Sequence, residues 1–281
     1  MRGWWQDLTD LVLPAECAGC GRPRAALCVA CRAVLCGSAS RRVRPVPEPR
    51  GLPVVHAAAP YEDAVRAVLL AHKERGALGL AGPLGEALAE AVCGALRGES
   101  GVAGDSGAQS WVGGPHGGSQ GRTMPLSLVP VPSSRAAVRA RGHDPARRIA
   151  LAAAGELRRA GVPARVLAVL GQRRAVADQS GLGSRQRQAN LAGALEVTAT
   201  GAGLLARGGR VVLVDDLMTT GASLAEAARV IREVCTQEKT GTETARKPVS
   251  GAVAGPVMGL ENRISAAVVA ASPESFEINR N

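Results

Sequence analysis

The stretch Val211–Ile231, VVLVDDLMTTGASLAEAARVI, decides the fold. Its first six residues form a continuous apolar, β-branched run ending in two acids, the pattern of a buried strand. After Gly221 the period changes, and Leu224, Ala228, Ile231 and Cys235 share one face at helical spacing. Between strand and helix stand Asp215 and Asp216, then the turn Met218-Thr219-Thr220-Gly221-Ala222-Ser223. A helix start offers unpaired backbone N–H groups and the positive end of a dipole, which suit a phosphate. Thr219, Thr220 and Ser223 add hydroxyl donors, and Gly221 lets backbone approach an anion closely. The carboxylates repel phosphate, so they suit hydroxyls or a metal. A sugar with a 5′-phosphate and free 2′,3′-hydroxyls matches that order of groups. The plainer alternative is that Thr219 or Thr220 caps the helix and the acids sit on a solvated turn. No GxxxxGK[ST] occurs, so a Walker-type loop is not the explanation.

Other segments extend this unit. LSLVPVP (126–132), VLAVLG (166–171) and AAVVAAS (266–272) read as buried strands. Helical spacing runs from Tyr61 to Cys93, with Ala64, Val68 and Ala71 on one face and Leu84, Leu88 and Ala91 on another. It returns from Pro145 to Leu157. Strands alternating with helices predict an α/β fold with a parallel sheet flanked by helices, binding ligands beyond the carboxyl ends of its strands. Residues 37–55 are rich in Pro and Arg and read as a linker. Residues 98–123 and 236–263 read as disordered low-complexity insertions, and 172–193 as a polar, basic loop.

The acidic pair and its turn resemble the signature of the type I phosphoribosyltransferases: four apolar residues, two acids, then a Thr/Ser-rich turn with Gly. The resemblance implies that Asp215 and Asp216 bind the ribose hydroxyls of phosphoribosyl pyrophosphate. It implies that Met218, Thr219, Thr220, Gly221, Ala222 and Ser223 cradle its 5′-phosphate.

The chain has 281 residues, 34 Lys and Arg against 24 Asp and Glu, and a net charge of +10. Biased codon usage is one source of so much Arg. Yet residues 133–193 hold twelve Arg against Asp144, Glu156 and Asp178, nearly the whole excess. Arg147, Arg148, Arg158 and Arg159 read as a solvated helix face. Arg135, Arg139 and Arg141 follow a strand directly and suit a pyrophosphate, with Mg²⁺ offsetting its charge.

LVPVPSSRAAVRARGHDPARRIA resembles the VPVP and RG element of the ComF competence family. DQSGLGSRQRQANLAGAL resembles that family's loop, with Gln179, Arg185 and Asn190 in place. AHKERG (71–76) resembles its Lys-containing turn, making Lys73 a pyrophosphate or hood contact. The chain departs from the pattern at His143-Asp144-Pro145, where an aromatic and Asn-Gln are usual. His143 is open to several roles, while Asp144 and Pro145 read as a helix N-cap and first helical position.

CAGCGRPRAALCVAC places Cys17, Cys20, Cys28 and Cys31 in two CxxC knuckles. Four thiolates so spaced predict a closed structural Zn²⁺ site in a small N-terminal ribbon, residues 1–36, with Cys36 a possible substitute ligand. The ComF family carries such a module. Seven Cys, an odd number, do not suit a secreted disulfide framework, and the first residues lack a signal-peptide core. The expectation is a cytoplasmic protein with no membrane span.

The family resemblance implies transfer of a phosphoribosyl group to an unidentified acceptor. The alternative it carries is a non-enzymatic accessory protein of competence and DNA uptake, binding a phosphoribosyl ligand or single-stranded DNA beside a helicase-type partner. Aromatics make up only 2% of the chain, which disfavours binding by base stacking but not by charge.

Overall fold

The computed structural model describes residues 16–98, 125–174, 190–206, 209–243 and 264–279. Among the described residues six strands form the main sheet: β1 (Arg41–Val43), β2 (Val55–Pro60), β3 (Leu126–Pro130), β4 (Ala164–Val166), β7 (Val211–Met218) and β8 (Ile264–Ala271). Their order is β1-β2-β8-β7-β3-β4, and only β1 runs antiparallel to its neighbour. β8 is buried along its whole length, as a central strand covered on both faces must be.

Helices cover both faces. α2 (Asp63–Glu74), α3 (Ala81–Gly98) and α5 (Pro145–Arg159) pack Leu69, Leu88 and Ile149 against Leu128, Val212 and Val269. On the other face, α7 (Ala222–Glu243) packs Leu224, Ala228 and Ile231 against Leu213 and Val268, and α6 (Ala199–Ala206) adds Leu205. The helical spacing after Gly221 therefore is the core face of α7. Large rings are nearly absent from this core, and Ala, Val and Leu fill it.

Three boundaries differ from the sequence reading. The linker contains β1, whose Val43 is buried and pairs with Val55 of β2. Its Arg and Pro neighbours hide a strand of only three residues at the sheet edge. VLAVLG is not one strand. β4 ends at Val166, and β5 (Leu170–Gln172) pairs antiparallel with β6 (Leu195–Val197) in a separate two-stranded sheet. The break comes where Leu167 and Val169 join the core face that holds α7. The second low-complexity stretch begins helical, since α7 runs to Glu243. The first, apart from Gly98 at the end of α3, lies outside the described residues.

The cysteine segment is packed onto the sheet domain. Its helix α1 (Val29–Cys36) buries Leu35 in the core shared by α2 and α3.

Candidate functional site

β3 and β7 lie side by side and parallel, with Leu128 opposite Val212 and Pro130 opposite Val214. From β3 the chain crosses through α5 on one face to β4. From β7 it crosses through α7 on the other face to β8, in the opposite direction along the sheet. The connections diverge, so a crevice opens at the carboxyl ends of β3 and β7. A cavity of about 440 Å³ fills it. Val131 to Ser134 wall one side, and Asp215, Asp216, Thr219 and Ser223 the other. Lys73 and Arg141 reach in from α2 and from α4 (Arg135–Arg141).

The strand does not end at the acids. β7 continues through Leu217 and Met218, which pair with Ala270 and Ala271 of β8. Asp216 is buried, and Lys73 Nζ donates to its Oδ2 at 2.8 Å and Oδ1 at 3.2 Å. Asp215 Oδ1 accepts the Asp216 N–H at 2.8 Å. Burial, then the Asp216 charge, pushes the Asp215 carboxyl well above the usual range, against the pull of Lys73. Burial works against the Lys73 charge, but Asp216 and Asp215 outweigh it and raise the ammonium's pKa. An acid pair, one member buried and the other half-buried, with one cation favours partners that donate hydrogen bonds or carry positive charge.

Below the acids a cleft of about 30 Å³ is bounded by the turn from Leu217 to Leu224. Gly221 has φ +72°, which a side chain resists, and a Cβ there would meet Leu52 at 3.1 Å. Thr220 Oγ1 lies 3.5 Å from the Ala222 N–H, a long contact for a cap. Met218 and Ala222 turn their side chains into the core, so only their backbones can serve a ligand there. Thr219 and Ser223 line both cleft and cavity.

The basic residues divide. Arg141 lines the cavity and forks onto Glu74, Nε to Oε2 at 3.0 Å and Nη2 to Oε1 at 2.9 Å. Arg135 and Arg139 are solvent-exposed and are not among the residues that line the cavity. The seven-residue α4 buries no side chain, so only the face that ends in Arg141 meets the site. Arg147, Arg148, Arg158 and Arg159 are exposed, as expected.

Asp144 is the N-cap of α5, accepting from the Arg147 N–H at 3.2 Å, with Pro145 in the first turn. It also accepts from the Ser133 N–H at 3.4 Å and so ties the wall after β3 to α5. His143 is not among the residues that line the cavity: its Nε2 lies 3.2 Å from the His72 carbonyl oxygen and its Nδ1 3.2 Å from that of Arg141. Gln179 and Arg185 lie outside the described residues. The Asn190 carbonyl accepts from Arg174 Nη2 at 2.8 Å, and nearby Leu191 and Leu195 close the cavity with Gln172. The sequence reading missed Gln172, Leu191, Leu195 and Glu74. The only local signal was the position of Glu74 next to Lys73.

The four cysteine sulfurs of the N-terminal segment lie within 4.8 Å of one another. Tetrahedral zinc with bonds of about 2.3 Å sets its sulfurs about 3.8 Å apart, and Cys20 and Cys28 stand 3.6 Å apart. Gly21 takes φ +72° in the first knuckle, and Gly19 packs so close to Cys31 Sγ that a Cβ would meet it at 2.7 Å. Burial opposes ionisation of Cys17, but the N–H groups of Cys28, Cys20 and Gly19 outweigh it and bring the thiol down to about 6. Burial and the adjoining thiols push Cys31 the other way. One divalent cation would relieve that conflict by binding all four as thiolates, so the cluster fits a metal ion such as zinc. Cys36 stands outside the group, its thiol 3.6 Å from the Pro83 carbonyl.

Comparison with protein-family models and with curated proteins finds no match. Among the described residues no helix is long and apolar enough to cross a membrane.

Proposed function

We propose that the chain is a ComF-type protein with a type I phosphoribosyltransferase-like domain, and that it transfers a phosphoribosyl group from phosphoribosyl pyrophosphate to an acceptor nucleophile. One observation carries the reading: an acid pair near the carboxyl end of β7, Asp216 buried and Asp215 half-buried, lines the cavity, and Asp215 also borders a small cleft at the start of α7. Asp215 and Asp216 accept hydrogen bonds from the ribose 2′- and 3′-hydroxyls. Thr219, Thr220, Ser223 and the backbone at Gly221 hold the 5′-phosphate. Arg141 and Lys73 face the pyrophosphate. Mg²⁺, carried on the pyrophosphate, offsets its charge. The acceptor's lone pair forms the new bond to C1 as the C1–O bond breaks, and pyrophosphate leaves with that electron pair. The acids sit where positive charge develops on the ribose, so positioning and electrostatics supply the catalysis.

Phosphoribosyl pyrophosphate with Mg²⁺ is expected to raise the melting temperature, and Asp215→Asn with Asp216→Asn to abolish the rise. No rise in the unaltered protein would sink this reading.

A second reading, single-stranded DNA binding, is favoured by the surface beside the cavity. Arg135, Arg139, Arg147 and Arg148 are exposed and have no carboxylate partner among the described residues. Binding through these charges should weaken linearly in log Kd against log salt, at about 0.7 per phosphate contacted. Affinity that does not change with salt would contradict it.

A further inference from the structure

The helix that carries Arg141 is poorly anchored by packing. α4 buries none of its side chains. It starts at a Ser134 cap and ends at Gly142 in the left-handed region, φ +75°. The fork from Arg141 to Glu74, at 2.9 and 3.0 Å, holds the side chain of its last residue. Two parallel bonds fix the plane of a guanidinium as well as its place. Arg141 Nη1 has no partner among the described residues, so the group retains donors beyond those given to Glu74. Glu74 directly follows Lys73, which holds Asp216. The last turn of α2 thus sends one side chain to the acid pair and the next to Arg141.

We propose that Glu74 is a positioning residue that holds Arg141 for the pyrophosphate group of the ligand. The inference rests on the reading above and names a residue that the family resemblance did not supply. Glu74 brings a negative charge near an anion site, which opposes binding. Its side chain is 46% exposed, however, so water and salt screen that charge. Arg141 released from the fork would lose several rotors on binding, and that cost is not screened. Orientation therefore outweighs repulsion.

The test measures Kd by titration calorimetry for two probes, inorganic pyrophosphate with Mg²⁺ and ribose 5-phosphate. Glu74→Gln should weaken pyrophosphate about tenfold and leave ribose 5-phosphate unchanged, since the second probe uses the acids and the turn alone. In an Arg141→Gln background, Glu74→Gln should cause no further loss, because it acts through Arg141. Tighter pyrophosphate binding by Glu74→Gln would make Glu74 a competitor and overturn the proposal. Equal loss of both probes, or additive losses in the double variant, would overturn it as well. If the unaltered protein binds neither probe, the proposed function itself falls and takes this inference with it, a result distinct from the others.

Discussion

His72 shows how one residue ties the site to the core. It sits one position before Lys73, is fully buried, and neither ring nitrogen has a hydrogen-bond partner among the described residues. Burial holds its pKa down to about 4 from 6.5; His143, Arg148 and Lys73 act in the same direction, and Asp216 opposes them. The folded protein thus refuses a proton that the unfolded chain accepts. The contribution of His72 to stability is complete above about 6.5, declines as pH falls, and levels off below about 4. Full expression of that shift is on the order of 3 kcal/mol. Urea unfolding should show the unaltered protein losing up to about 3 kcal/mol more than His72→Leu between pH 7 and pH 4. Parallel pH curves for the two proteins would refute this.

At the scale of elements, the turn from β7 to α7 was the most legible part of the chain. A buried run, two acids, a Thr/Gly turn and a periodic helix each depend on near neighbours, so each left a local pattern. The cap at Asp144 was legible for the same reason. β1 was not, because three residues beside prolines have no periodicity, and β2 alone makes them a strand. The turn also contacts the segment read as a linker: Leu52 and Pro45 pack where a Gly221 Cβ would sit, at 3.1 and 3.3 Å. Gly221→Ala adds that clash to a positive φ. It should cost about 2 kcal/mol in denaturant unfolding and weaken ribose 5-phosphate binding, because the backbone of the cleft must shift. Unchanged stability and affinity would remove the constraint assigned to Gly221.

At the scale of the molecule, the cysteine module and the sheet domain share a core. Leu35 of α1 is 1% exposed among residues of α2 and α3, and α2 carries Lys73 and Glu74. Metal analysis should find about one ion per chain. Stripping the metal with a chelator should lower the main thermal transition instead of melting the module separately, since loss of α1 uncovers part of the sheet domain's core. A metal-free protein with an unchanged melting temperature would sink the metal assignment. An independent low-temperature transition would show the module to be autonomous.

The sequence alone determined the α/β class, the strand that carries the acids, the turn that follows them, the Asp144 cap and the cysteine cluster. All are set by residues close together in the chain, where spacing and residue type act directly. The tertiary structure decided which cations face the acids and how they are held. Lys73 and Asp216 stand 143 residues apart, and Glu74 and Arg141 67 apart. Their meeting follows from the strand order, which sets β3 beside β7 and splits their connections to opposite faces. It also left Arg135 and Arg139 off the cavity lining, because a short exposed helix turns a single face toward the site. Charge was readable residue by residue, but its direction came only from packing.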